Sequence, residues 1–235
     1  MKKALLFLVL LSYINNYSQN KQIIYSNDDL NIISEEEYKA NSLKKYFYEY
    51  KTENDSIILF TKASKIKEGN ISIVEYAKIK DYLISITNSK ISSSKTIIIN
   101  YHPGKDKCNS EKGNTTLWSL YSKYKRKISK NKNIAQFFIY KNFEGIEKYP
   151  TKIKWYKDVN QLVEKTFFKF HYPCGSYIII KPNGSYYSVR GEYKITDILE
   201  KIKNEDMDYR PSQQEKLKLY GLFKQITEGD VHGEK

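Results

Sequence analysis

The sequence predicts an α/β protein, and three observations carry the prediction. Short β-rich runs alternate with stretches of helical period through the middle of the chain. The run Thr96-Ile97-Ile98-Ile99-Asn100-Tyr101 is apolar enough for a buried strand. Residues 177–190 read as a hairpin, two β-rich arms closed by the turn Pro182-Asn183-Gly184. A chain of 235 residues favours one main core with additions over two independent domains.

Taken in order, Ser34 and Glu37 form a capping box ahead of Tyr38, Leu43, Tyr46, Phe47 and Tyr50, which predicts an amphipathic helix over 34–50. A strand is expected at 56–62. Ile73, Ala77, Tyr82, Leu83 and Ile86 recur at mainly helical spacing over 72–87, and Ser92 to Lys95 break the pattern before the buried strand at 96–101. Leu117, Leu120, Tyr121 and Tyr124 mark a helix at 115–130, followed by a strand at 134–140. Val159, Leu162, Val163, Phe167 and Phe168 predict a helix over 157–169. After the hairpin comes a helix at 195–203, then an amphipathic terminal helix that starts at Pro211 and carries Leu219, Leu222, Phe223 and Ile226 on one face.

Composition excludes several classes. The chain carries 22 tyrosines and 10 phenylalanines, enough large side chains for a core, and its 10 glycines and 5 prolines exclude a collagen-like or Pro-rich character. Its longest apolar run falls short of the ~20 residues a membrane-spanning helix needs, so no integral span is expected. The net charge of +13 comes mostly from scattered lysines. The densest group, Lys123, Lys125, Arg126, Lys127, Lys130 and Lys132, reads as the solvated face of one helix. With no recognition motif beside it, nucleic acid is not an expected partner.

The first residues read as a secretory signal: Lys2 and Lys3, then an apolar stretch at 4–11, then a polar stretch ending in cleavage after Ser18. The mature protein is therefore expected to be exported, periplasmic or extracellular, where thiols tend to be oxidised. No cysteine follows directly on the apolar stretch, which argues against a lipid anchor.

From residue 56 the elements run β-α-β-α-β-α-β-β-α, and local signatures agree with that order. Ile97-Ile98-Ile99-Asn100-Tyr101-His102 resembles the strand that delivers the active-site Cys-x-x-Cys of the thioredoxin-like superfamily, and Leu120-Tyr121-Ser122-Lys123-Tyr124 resembles the helix after it. The stretch from Gly175 to Gly184 is similar to the one that begins at the family's cis-proline and turns at a glycine, and Arg190-Gly191-Glu192-Tyr193 looks like the end of the following strand. The resemblance, closest to exported thioredoxins of disulfide handling and cytochrome maturation, implies a central mixed sheet flanked by helices. It divides the chain into a signal peptide (1–18), an N-terminal helical extension (19–55), a thioredoxin-like domain (56–203) and a C-terminal helix and tail (204–235).

The departures from the family bear on chemistry. Counting from strand and helix puts the first family cysteine at Asp106 or Lys107, so Cys108 falls in the right loop, while Glu111 occupies the resolving position. Gly175 stands where the family has its cis-proline, with Cys174 just before it. Two cysteines in an exported chain favour a disulfide by parity, and the resemblance implies that Cys108 and Cys174 face each other. Two functions then compete: thiol-disulfide exchange through Cys108 and Cys174 with an exported client, and a non-catalytic scaffold that binds an envelope protein and keeps the bond as a staple. His102 and His171 flank the same place, so copper or zinc binding is a weaker third reading. Pro103 before Cys108 is somewhat like a peroxidatic loop, but the loop is short and lacks the family's threonine. Hydrolase and phosphate-loop motifs are absent, and no cofactor is expected.

Overall fold

The structure, a computed structural model, describes residues 21–40, 46–110 and 115–204. The signal segment and the terminal helix expected from Pro211 lie outside the described residues. The chain divides into two compact units, residues 1–66 and 67–235. Each contains a mixed sheet with helices beside it, so the α/β class holds.

In the smaller unit, β1 (Gln22–Asn27), β2 (Ile32–Ile33), β3 (Phe47–Glu53) and β4 (Ile57–Ser64) form a sheet of order β2-β1-β4-β3, with α1 (Glu35–Ala40) between β2 and β3 in sequence. Strand β1 runs parallel to β4, whereas β2 and β3 pair antiparallel with β1 and β4. The rings of Tyr25, Tyr38 and Phe60 cluster, the Tyr25–Tyr38 centroids 4.8 Å apart. Beside them the buried Lys62 ammonium donates to the Tyr38 carbonyl and lies 4.3 Å from the Tyr38 ring centroid.

This unit corrects the expected N-terminal helical extension. Ser34 does cap α1, its Oγ accepting from the Glu37 amide at 3.1 Å, but the helix is six residues long and 47–53 is a strand. The physical reason is the aromatic run Tyr46-Phe47-Tyr48. Such residues fit a pleated surface well, and pairing with β4 along its whole length satisfies the β3 backbone groups that face it. The strand expected at 56–62 is β4 and belongs to this sheet; the two units divide after Ile66, beyond it.

The larger unit holds β5 (Ile66–Asn70), α2 (Ile73–Thr87), β6 (Thr96–His102), α3 (Thr115–Ser129), β7 (Ile134–Tyr140), β8 (Tyr156–Lys157), α4 (Leu162–Phe167), β9 (Ser176–Ile180), β10 (Ser185–Val189) and α5 (Ile195–Asn204). Its sheet has the order β5-β10-β9-β6-β7-β8. Central β6 is parallel to β7 and antiparallel to β9, and β10 is antiparallel to β9. Ser72 caps α2 in a reciprocal box with Glu75. At the hairpin, Gly184 adopts φ 88° and passes so close to Ile71 that a Cβ would lie 2.1 Å from the Ile71 carbonyl oxygen, so only glycine fits.

The helix expected over 157–169 is corrected to α4, Leu162–Phe167. Asp158 is the cause: its buried carboxylate accepts from the Val163 and Glu164 amides and from the Tyr82 hydroxyl, so it caps the helix from outside instead of lying within it. Val159, expected on the buried face, is exposed.

Alternation along the strands sorts the core into two layers. On one face Ile98, Phe138, Tyr177 and Ile179 pack with Tyr121, Tyr124 and Ile128 of α3 and Ile195 and Ile198 of α5. On the other, Tyr101 stacks on Phe168 with centroids 4.8 Å apart, and Phe167 meets Tyr186 edge-on. Asn100 is fully buried in the first layer and is satisfied there: its Nδ2 donates to the Tyr193 hydroxyl at 3.1 Å, and its Oδ1 accepts from the Tyr124 hydroxyl at 3.0 Å.

Candidate functional site around Cys108 and Cys174

Strand β6 ends at a fully buried histidine, and the chain then leaves the sheet in a polar loop. Asp106-Lys107-Cys108-Asn109 folds on itself through two Asx residues. The Asp106 Oδ1 accepts from the amides of Cys108 and Asn109, each at 2.9 Å, and the Asn109 Oδ1 accepts from the Asp106 amide at 2.8 Å. The buried Asn109 Nδ2 in turn donates to the Gly104 carbonyl at 2.7 Å. This turn presents Cys108 at the surface while tying the loop to itself.

Cys174 approaches from the other side. It precedes β9, whose pairing with β6 reaches Tyr101 opposite Ser176. Cys174 has φ 73° and Gly175 φ 136°, two successive left-handed residues that turn the chain sharply into the strand. A Cβ on Gly175 would crowd the Tyr101 carbonyl at 3.1 Å. The two cysteines, brought together at the same end of the β6–β9 pairing, are joined in a disulfide with a Cα–Cα distance of 5.1 Å. Cys108 is exposed and Cys174 half-buried.

Asp106 links the two arms. Its Oδ2 accepts from the Cys174 amide at 2.9 Å, so one carboxylate holds the backbone of both cysteines. The His171 Nε2 lies 3.3 Å from the same Oδ2. Burial alone would raise this carboxyl, but the three backbone donors and the nearby imidazole outweigh it and hold the Asp106 pKa below its ordinary value.

His102 is differently placed. Its Nε2 bonds to the Glu144 carbonyl at 2.8 Å, which fixes the proton on that nitrogen because a carbonyl only accepts. Its Nδ1 is buried without a hydrogen-bond partner among the described residues, and the ring lies edge-on to Tyr149 and Trp155. Burial lowers its pKa.

Both sulfur positions expected from sequence thus meet, and both histidines flank the loop, one outside beside Asp106 and one inside. With the sulfurs bonded to each other, neither is a thiolate ligand, and among the described residues no three His, Cys, Asp or Glu side chains are grouped to hold a metal ion. Glu111 lies outside the described residues. Sequence reasoning used Asp106 only as a counting landmark; the Asp-x-Cys-Asn spacing, two Asx residues bracketing a short turn, is the local signal that points to it. No helix among the described residues is long and apolar enough to cross a membrane.

Residues 194–235 match the Acyl CoA binding protein family, a span that takes in α5 and the segment beyond it and contains neither cysteine. None of the curated proteins compared with the chain matches it.

Proposed function

We propose that the larger unit is a thioredoxin-like domain of an exported protein and that the Cys108–Cys174 pair exchanges disulfides with an exported client. The observation that carries this reading is the position of the bond. It joins the loop after the central strand to the turn before the antiparallel strand beside it, and it leaves Cys108 exposed. The order β10-β9-β6-β7, with β7 parallel and β9 antiparallel to β6, supports the thioredoxin-like reading of the fold.

In the exchange, a client thiolate attacks the exposed Cys108 sulfur, the S–S bond breaks, and Cys174 leaves as a thiolate. A second client thiol then attacks the mixed disulfide, releasing Cys108 as a thiolate. Two electrons pass from the client dithiol to the pair, and the client leaves with the disulfide. Titration of the full chain against dithiol buffers tests this. A potential between about −270 and −120 mV, the range of dedicated exchange proteins, is expected. A bond that stays closed below about −300 mV identifies a structural staple and overturns the exchange reading in favour of a scaffold.

A further inference from the structure

The bonds from Asp106 to Cys108 and Cys174 run to backbone amides and not to sulfur. They therefore need no S–S bond to persist. The two amides are held by different oxygens of one carboxylate, across a sequence separation of 68 between Asp106 and Cys174. What they hold would otherwise relax. Cys108 lies on a loop well beyond the last paired residue of β6, and Cys174 sits at φ 73°, which a residue with a Cβ leaves readily once nothing fixes its amide.

We propose that Asp106 is a positioning residue for this couple: its carboxylate holds the Cys108 and Cys174 backbones together when the disulfide is open, so that the two thiols stay within closing distance. The inference rests on reading the pair as a couple that opens and closes. Its effect is to raise the effective concentration of one thiol toward the other, which favours the closed form. In the closing step the dithiol loses two electrons and two protons to an oxidised partner such as cyclic dithiothreitol, which opens to its own dithiol.

Asp106→Asn separates this role from a merely structural one. Asparagine keeps an Oδ1 and forms the same Asx turn with the amides of Cys108 and Asn109, but its second polar atom is a donor and cannot accept from the Cys174 amide. If Asp106 only shapes the loop, the asparagine variant equilibrates with dithiothreitol as the wild type does. If it bridges, disulfide closure in the full-length variant is at least about tenfold less favourable, a shift of about 30 mV toward easier reduction. An unchanged equilibrium overturns the proposal.

Amide exchange of the reduced wild-type chain gives a second arm that needs no variant. Protection of the Cys174 amide after reduction is expected, and its free exchange there overturns the bridge. Both arms are read with dithiothreitol or a stronger reductant, so they report even if the pair proves too stable for biological dithiols. Failure of the exchange function and failure of the bridge thus give different results.

Discussion

The two sheets bury their strands to different depths. In the larger unit β6 and β9 are buried at every residue, with helical side chains packed on one face and an aromatic layer on the other. In the smaller unit each strand has residues short of burial, and Ile23 and Ile32 are 52% and 76% exposed. A strand covered on both faces can fix what lies just past its end, because its position is set by packing in every direction. The Cys108 loop and the Cys174 turn both start from such strands. The smaller sheet, half open to solvent, offers its loops no comparable anchor.

The largest expected effect tests that contrast directly. Leu83 of α2 is fully buried, so Leu83→Ala should destabilise the larger unit by about 2–5 kcal/mol through lost burial and a residual cavity. Ile23→Ala in the smaller sheet should stay within about 0.5 kcal/mol. Urea unfolding of both variants decides it, and equal losses would break the comparison.

Next comes the bond itself. Cys174→Ser should cost about 2–4 kcal/mol, because the open chain regains the entropy that a link between residues 66 apart removes. Denaturant midpoints of wild type and variant under non-reducing conditions measure it. The same variant frees Cys108, which should then form mixed disulfides with small thiols, read by intact mass; a Cys108 that stays unmodified would sink the assignment of the accessible sulfur to that side.

Somewhat smaller is the polar pair inside the first layer. Asn100→Ala removes the amide that the Tyr124 and Tyr193 hydroxyls share, and should cost about 1–3 kcal/mol. Tyr124→Phe should cost less, since Asn100 keeps its bond to Tyr193. An Asn100→Ala variant as stable as wild type would mean that the buried network contributes nothing.

The same difference in depth explains which parts were legible in the sequence. Thr96–His102, Ile134–Tyr140 and Ser176–Ile180 are continuous β-rich runs because both their faces are covered, and the Pro182-Asn183-Gly184 turn marks the hairpin. The half-exposed β3 gave a mixed signal: Tyr46, Phe47 and Tyr50 fit a helical face as well as a pleated one, and only the pairing with β4 decides between them. At the site, parity and the resemblance led to the two cysteines. The role of Asp106 was hidden because its Oδ2 acts on the Cys174 amide, which no local pattern connects to it. His102 was legible as a residue beside the loop and misleading as a ligand, since its burial and its bond to Glu144 follow from packing.

The smallest effect concerns pH, and its histidine contribution falls on the larger unit, because residues 1–66 contain no histidine. In the folded chain His102 keeps its proton on Nε2, and a second proton would have to enter a buried site at Nδ1 with no hydrogen-bond partner among the described residues. Its folded pKa is accordingly depressed by burial, whereas in the unfolded chain it titrates near ~6.5. The unfolded state then binds more protons below that value, so stability is full above it and is lost as pH falls toward and through the depressed folded pKa. The slope for one group cannot exceed about 1.4 kcal/mol per pH unit. Urea midpoints at pH 7.5 and 5.5 should therefore fall more for wild type than for His102→Phe, which cannot titrate. The difference in slope, not the absolute stability, is the readout. Equal slopes would show that the buried imidazole is not the group that couples the larger unit to acid.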